Sequence, residues 1–328
     1  MDELDVRIKN LEPMNANIAP QNHMSLLIRT KSPLRIIALA VSIISQSQAA
    51  LYWTDAGTNK IQRSNLDGSQ VTDVVTAPTN FPNGIAYDSV SDRVYWTNSL
   101  SGNINSVTAG GTGLTQPISG SSGVIQGLAV AGGLDKMFWA SAGDGVIRQS
   151  SLSGLNVSNL VTGLLSPNDV AVDTVGGLIY WTEIDGDRIG RANLDGTNKT
   201  FLVSTGAGTA PAGLALDTAN GFMYWTDVAQ GLIMRSDING GSVTQLISGM
   251  GLARDIALDS ANGHMYFIND DDNFNTIYRA NLDGSGLLPV VTGLDDPFGL
   301  IIAVPEPSSC ILLLAGLISL SHRRRTHA

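Results

Sequence analysis

An aromatic tetrapeptide that returns at a nearly constant interval is the feature that most constrains the fold of this chain. Tyr52-Trp53-Thr54-Asp55 recurs with substitutions in five further copies, which begin at Tyr95, Phe138, Tyr180, Tyr224 and Tyr266. Successive copies are 42 to 44 residues apart, and all five tryptophans occupy the same position in the repeat. A fixed period of this length indicates an architecture in which one supersecondary unit is repeated.

Two further patterns keep the same period. Ile-x-Arg-x-x-Leu-Asp-Gly ends at Gly68, Gly196 and Gly284, and looser copies end at Gly111, Gly154 and Gly240. Pro-x-Gly-apolar-Ala-apolar-Asp is clearest at 82–88, 167–173 and 211–217, with copies at 125–131, 253–259 and 297–303. Between these patterns, Asn220-Gly221 and Asn262-Gly263 predict two-residue type I′ hairpins. Each period therefore holds about four short strands, as in a propeller blade.

The repeat predicts an all-β fold over residues 50–304, a six-bladed β-propeller of four-stranded antiparallel blades. The first period lacks a Pro-x-Gly strand, and the last Pro-x-Gly strand has no Tyr-Trp strand after it. We therefore expect the strand at 296–303 to become the innermost strand of the blade begun by Tyr52, which closes the ring and removes its open edges. Alternation along each strand predicts that the repeated aromatic residues pack between blades: Tyr52, Trp53, Tyr95, Trp96, Phe138, Trp139, Tyr180, Trp181, Tyr224, Trp225 and Tyr266. Asp55 belongs to the same structural repeat.

This motif set resembles that of YWTD propellers, the class B repeats of low-density lipoprotein receptors, over residues 50–304. The resemblance implies that the acidic residue after Tyr-Trp-Thr accepts hydrogen bonds from neighbouring backbone, and that the propeller face binds a protein. The chain departs from the pattern at several positions: Ser106 and Gln149 replace arginine, Ala131 replaces aspartate, and Phe267 replaces tryptophan.

The sequence of residues 1–49 predicts an N-terminal extension and a signal peptide. Arg29, Lys31 and Arg35 precede the apolar run 36–44, and small and polar residues follow it to Ala49. This order is typical of a secretory signal peptide, with cleavage after Ala49, although a buried core helix is the alternative. The residues before Met24 do not resemble the start of such a peptide, so we expect translation to begin at Met24 rather than Met1.

Residues 305–328 begin with Pro305-Glu306-Pro307, continue with an apolar stretch and end in an arginine cluster. This order resembles the bacterial PEP-CTERM sorting signal. The resemblance implies export, membrane retention through a short C-terminal hydrophobic helix, and recognition by an exosortase-type enzyme at the cell envelope or extracellular matrix. A helix of about 12 residues rises about 18 Å, less than the roughly 30 Å of a bilayer core, so membrane contact is expected to be transient.

The body of the chain is strongly acidic. Residues 50–305 contain 24 acidic and 11 basic residues, which argues against binding to nucleic acid or to anionic membrane surfaces. The only cysteine is Cys310, so no intrachain disulfide stabilises the propeller.

Polar residues enter the innermost strands, where a propeller converges on its channel. The candidate ligand-binding residues at this mouth are Asn83, Gln126, Asn168, Asp169, Arg254, Asp255 and Phe298. Aspartate stands at 169 and 255, where the repeat favours glycine. These groups would suit a cation or an anionic sugar, and the alternative is a hydrated channel lining without a ligand.

The sixth period carries an acidic insertion. It is two residues longer than the others between its tyrosine and glycine, and it contains Asp270, Asp271 and Asp272. Clustered carboxylates suit Ca²⁺ or another divalent cation. The spacing matches no complete calcium loop, so a solvated acidic turn is the alternative, and no other cofactor is expected.

Sets of catalytic residues are scarce in the body. His264 is its only histidine, it has no cysteine, and it contains neither a Gly-x-Ser-x-Gly elbow nor a phosphate-binding loop. We therefore expect a non-catalytic binding or structural module for a protein or polysaccharide. The alternative is a metal-dependent, lactonase-like hydrolase that uses Asp169, Asp255, Asn83 and Asn168, as six-bladed enzymes of the gluconolactonase type do with similar groups.

Overall fold

Twenty-four strands form six four-stranded antiparallel sheets in the computed structural model, which describes residues 49–76, 80–271 and 275–304. Blade 1 contains β1 (Ala50–Asp55), β2 (Lys60–Asn65), β3 (Thr72–Val75) and β24 (Pro297–Ala303). Blade 2 contains β4 (Pro82–Asp88), β5 (Arg93–Asn98), β6 (Asn103–Thr108) and β7 (Thr115–Ile118). Blade 3 contains β8 (Ile125–Ala131), β9 (Lys136–Ser141), β10 (Val146–Ser150) and β11 (Ser158–Thr162).

The remaining blades follow the same order. Blade 4 contains β12 (Pro167–Asp173), β13 (Leu178–Glu183), β14 (Arg188–Asn193) and β15 (Thr200–Ser204). Blade 5 contains β16 (Pro211–Asp217), β17 (Phe222–Asp227), β18 (Leu232–Asp237) and β19 (Thr244–Ile247). Blade 6 contains β20 (Leu252–Asp259), β21 (His264–Asp270), β22 (Thr276–Asn281) and β23 (Leu288–Thr292).

Helical structure is confined to a single 3₁₀ turn, Gly132–Leu134, among the residues that the structure describes. No helix in that part of the chain is long and apolar enough to cross a membrane. The predicted signal peptide and the predicted C-terminal hydrophobic helix lie outside the described residues.

The C-terminal strand closes the ring. β24 pairs antiparallel with β1, so that Ala303 lies opposite Ala50 and Ile301 lies opposite Tyr52. The resulting sheet order β24-β1-β2-β3 confirms the closure expected from the incomplete first and last periods. Both ends of the propeller are thereby held in one sheet, and β1 is paired on both of its edges.

The aromatic pair of each repeat fills the space between blades. Trp181 of blade 4 packs against Phe138 of blade 3, and Trp96 of blade 2 packs against Tyr52 of blade 1. Because successive side chains of a strand point to opposite faces, the first aromatic residue of each pair contacts one neighbouring blade and the second contacts the other. Six apolar clusters result, and the aromatic residues within them are almost fully inaccessible to solvent.

The Leu-Asp-Gly turns also join neighbouring blades. Gly68 has a φ of +80°, and a Cβ atom there would overlap the backbone carbonyl of Val290 in blade 6. Gly284 repeats this contact against the carbonyl of Leu246 in blade 5. The glycine of this motif is therefore required both by its left-handed conformation and by the close approach of the adjacent outermost strand.

The prediction of two-residue type I′ hairpins is wrong. β16 ends at Asp217 and β17 begins at Phe222, so four residues connect them, and only Gly221 of the Asn-Gly pair has a positive φ. The Asp217 carboxylate accepts a hydrogen bond from Asn220 Nδ2 at 2.9 Å. Asp259 and Asn262 repeat this contact at 2.8 Å, so in blades 5 and 6 the carboxylate that ends the innermost strand organises a longer turn.

Candidate functional site

The innermost strands of all six blades line a central cavity of about 570 Å³. Each of these strands carries an irregularity of register at the same place, two residues long, directly after the proline position. The bulged residues are 83–84, 126–127, 168–169, 212–213, 254–255 and 298–299. Because a bulge redirects side chains out of the regular pleat, these positions supply the polar groups of the channel.

Repeated threonines compensate for the backbone hydrogen bonds that the bulges disrupt. The backbone N–H of Gly213 donates to Thr226 Oγ1 at 2.8 Å, and that hydroxyl donates to the carbonyl of Arg254 in the next blade at 2.9 Å. The same pair of contacts is made by Thr54, Thr97 and Thr182. The threonine of the Tyr-Trp-Thr motif therefore links each channel bulge to its neighbour, except in the blades that carry Ala140 and Ile268.

The carboxylates of two aspartates form hydrogen bonds that bridge one innermost strand and the next. Asp169 Oδ1 accepts the N–H of Val170, and its Oδ2 accepts the N–H of Leu214 in blade 5, both at 2.8 Å. Asp255 makes the equivalent contacts with Ile256 and with Leu300 of blade 1, both at 2.7 Å. Glycine in the preceding blade leaves space for the carboxylate in both cases, because a Cβ atom at Gly127 would overlap Asp169 Oδ1 and one at Gly213 would overlap Asp255 Oδ1.

Burial makes these two carboxylates hard to ionise. Desolvation raises the pKa of Asp169 well above its usual range, and the negative charge of Asp255 raises it further. Desolvation also raises the pKa of Asp255 to about 7, although its two backbone hydrogen bonds act in the opposite direction. The channel therefore holds a pair of carboxyl groups of which at least one is protonated below neutral pH.

Aromatic and charged side chains surround the mouth at which the innermost strands begin. The Phe81 and Phe298 rings lie 5.2 Å apart, across the junction between blades 2 and 1. The Arg254 guanidinium lies 4.3 Å from the Phe298 ring centroid, and its Nε donates to Asp270 Oδ2 at 2.7 Å. We call Phe81, Arg254, Asp270, Asp296 and Phe298 the entry mouth. Desolvation raises the pKa of Asp296, whose carboxylate lies 3.9 Å from Arg254.

All seven residues expected at the channel line the cavity: Asn83, Gln126, Asn168, Asp169, Arg254, Asp255 and Phe298. They do not form a uniform polar ring, because Asp169 and Asp255 bridge strands within the channel while Arg254 and Phe298 stack at the entry mouth. Whether these groups bind a ligand stays a prediction.

The acidic insertion of blade 6 is divided between different contacts. Asp270 pairs with Arg254, and Asp271 Oδ2 accepts a hydrogen bond from Asn269 Nδ2 at 3.3 Å. Asp272 lies outside the described residues, so the proposed metal site of Asp270, Asp271 and Asp272 stays a prediction. Among the described residues, no group of three or more histidine, cysteine, aspartate or glutamate side chains is placed to hold a metal ion.

Sequence reasoning missed two residues of the entry mouth, Phe81 and Asp296. Each directly precedes the proline of an innermost strand, at Pro82 and Pro297. Extending the comparison of repeats by one residue toward the N-terminus would have identified both positions. The sorting residues Pro305, Glu306 and Pro307 lie outside the described part of the chain.

Comparison with known proteins supports the assignment of the repeat. The family model of the low-density lipoprotein receptor repeat class B matches residues 177–218 and 221–260. Each match runs from a Tyr-Trp strand to the innermost strand of the next blade, so the sequence repeat is offset from the structural blade. No curated protein sequence matches the chain.

Two solved structures share the architecture. A chain in the crystal structure of a nidogen/laminin complex superposes with a TM-score of 0.71 at 22% identity, over 78% of this chain and 99% of that one. TolB from Acinetobacter baumannii superposes with a TM-score of 0.64 at 16% identity, over 85% of this chain and 75% of that one. The chain is thus a six-bladed β-propeller in which two repeats match the class B model of low-density lipoprotein receptors.

Proposed function

We propose that this propeller is an exported, non-catalytic binding module that takes a protein or polysaccharide at its entry mouth. The stacked arrangement of Phe81, Phe298 and Arg254 is the observation that carries the proposal. Aromatic residues, phenylalanine among them, and arginine are enriched at protein interfaces relative to the rest of the surface. They form a half-buried apolar surface beside a charged group, which suits a ligand with both apolar and polar features.

The comparisons add support of a different kind. The nidogen/laminin structure contains a chain of the same architecture, and it is a complex between two proteins. The class B repeats point in the same direction, since they are named for receptors. We propose that the partner lies at the bacterial cell envelope or in the extracellular matrix, and that an exosortase-type enzyme recognises Pro305-Glu306-Pro307 after export.

A capture experiment tests the proposed surface. The full chain, tagged and purified, is incubated with an extracellular matrix fraction from the producing cells, and the bound proteins and sugars are identified. Phe298→Ala is expected to remove most of the captured partner, because it deletes the ring that supports Arg254. Val175→Ser is the matched control, since Val175 is 97% exposed in the turn between β12 and β13 at the opposite end of the channel. Equal capture by both variants, each with an unchanged circular dichroism spectrum, would contradict the proposal.

The second candidate is a metal-dependent, lactonase-like hydrolase. The specific observation in its favour is that Asp169, Asp255, Asn83 and Asn168 share one cavity. Each aspartate oxygen that accepts a backbone N–H retains a lone pair for another partner. Elemental mass spectrometry of the purified chain distinguishes the candidates: one divalent ion per chain that disappears in Asp169→Ala and Asp255→Ala favours the hydrolase, and a metal-free chain favours the binding module.

A further inference from the structure

Unpartnered polar atoms are concentrated in blade 2. Among the described residues, five buried side-chain atoms have no hydrogen-bond partner, and four of them belong to this blade: Trp96 Nε1, Asn98 Oδ1, Ser101 Oγ and Asn105 Oδ1. The side chains of Trp96 and Asn98 are 0% and 2% exposed. Because a buried polar atom without a partner costs about 1–3 kcal/mol, four such atoms in one blade require a common explanation.

The register of the sheet brings these atoms to one face of blade 2. Trp96 lies directly opposite Asn105 on the neighbouring strand β6. Asn98 is two residues after Trp96 on the same strand, so its side chain lies on the same face. Ser101 follows in the turn between β5 and β6.

In two other blades, a side chain at one of these positions accepts a hydrogen bond from the indole N–H of the tryptophan. In blade 1, Trp53 Nε1 donates to Oε1 of Gln62, its cross-strand partner, at 3.1 Å. In blade 4, Trp181 Nε1 donates to Oε1 of Glu183, two residues further along the strand, at 3.0 Å. Blade 2 has asparagine at both equivalent positions, and asparagine is one methylene shorter than glutamine or glutamate. With these shorter side chains, neither asparagine oxygen is hydrogen-bonded to the indole N–H.

We propose that blade 2 contains a binding site for one ordered water molecule. The water accepts a hydrogen bond from Trp96 Nε1 and donates to two of the three oxygens of Asn98, Ser101 and Asn105. Buried waters in proteins typically make about three hydrogen bonds to groups that would otherwise be unpaired. A metal ion does not fit this site, because the indole N–H presents a hydrogen atom and all three oxygens are uncharged.

Asn98, an acceptor for this water, holds a strand position that another blade uses to fix its turn. In blade 5, the Asp227 carboxylate accepts backbone N–H groups of Ala210 and Gln230 and so fixes the entry to its innermost strand and its own turn. In blade 2, Asn98 stands at this position, and the adjacent Ser99 and Leu100 line the central cavity. The proposed water therefore lies next to the blade 2 part of the channel wall.

The test compares the wild-type chain with a reciprocal pair of variants. A crystal structure that resolves ordered solvent is expected to show a water within about 3.2 Å of Trp96 Nε1. In Asn105→Gln the longer amide is expected to bond the indole directly, as Gln62 does, and the water is lost. Gln62→Asn is the matched change in blade 1 and is expected to admit a new water beside Trp53.

A solution measurement on the wild-type chain adds a readout that does not depend on the folding of Asn105→Gln or Gln62→Asn. In the wild-type chain, the indole N–H resonance of Trp96, assigned by its loss in Trp96→Phe, is expected to show a nuclear Overhauser effect to a long-lived water. A direct bond between Trp96 Nε1 and Asn105 Oδ1 in the wild-type crystal, without solvent between them, overturns the proposal. Absence of the water effect in solution overturns it as well.

Discussion

The two channel aspartates predict an unusual dependence of stability on pH. The pKa of Asp255 is raised to about 7 by desolvation in the folded chain, whereas an unfolded aspartate titrates near 3.9. At a pH between these two pKa values, the Asp255 carboxyl group is protonated in the folded state and ionised in the unfolded state. The contribution of protonated Asp255 to the free energy of unfolding is therefore complete below about pH 4, and it is lost as the pH rises to about 7.

The magnitude follows from the interval between the two pKa values. At about 1.4 kcal/mol per pH unit, the range from about pH 5 to the folded pKa corresponds to about 3 kcal/mol for Asp255. This is an upper value, because the side chain lines an open channel in which water reduces the cost of the charge. Asp169 acts in the same direction, since desolvation and the Asp255 charge both raise its pKa.

Urea unfolding at about pH 5 and about pH 8 measures this effect. The wild-type chain is expected to be more stable at the lower pH, and Asp255→Asn is expected to reduce the difference, because an amide does not titrate in this range. Asp195→Asn is the control, since the Thr197 hydroxyl lowers the pKa of this exposed carboxylate and its titration lies below the range tested. The reasoning is refuted if the wild type is no more stable at the lower pH, or if Asp255→Asn retains the full difference.

Two further predictions concern the contacts between blades, and thermal unfolding measures both. Gly68→Ala is expected to lower the melting temperature far more than Gly221→Ala. Both glycines have a positive φ, but a Cβ atom at Gly68 would overlap a backbone carbonyl, whereas a Cβ atom at Gly221 meets no atom within 4 Å. Equal losses in melting temperature would show that backbone strain, and not the contact between blades, determines the cost of both substitutions. Thr226→Val is expected to cost about 1–3 kcal/mol, because the N–H of Gly213 and the carbonyl of Arg254 lose their shared hydroxyl. Ile268→Val, at the equivalent position of blade 6, removes no hydrogen bond and is expected to cost about 1 kcal/mol, and a larger loss than for Thr226→Val would contradict this role.

The channel positions were predictable because the repeat fixes them. Every innermost strand begins at the same place in its period, so Asn83, Gln126 and Asn168 must meet at the axis of the ring once six blades close. The chemical partners of these positions were not predictable. Asp270 was grouped with Asp271 and Asp272 as a candidate cation site, yet its carboxylate pairs with Arg254, because the end of β21 lies beside the start of the innermost strand β20.

The sequence by itself determined the architecture of this protein. The spacing of the Tyr-Trp strands sets the number of blades, and the missing first strand requires β24 to complete blade 1. These features depend on local patterns and on the periodicity of the chain, and both can be recognised in the amino-acid sequence alone. Only the tertiary structure decided the contacts across blade boundaries. Asp169 with Leu214, Asp255 with Leu300 and Phe81 with Phe298 each join residues far apart in sequence, and their distances depend on how the bulged strands converge on the axis.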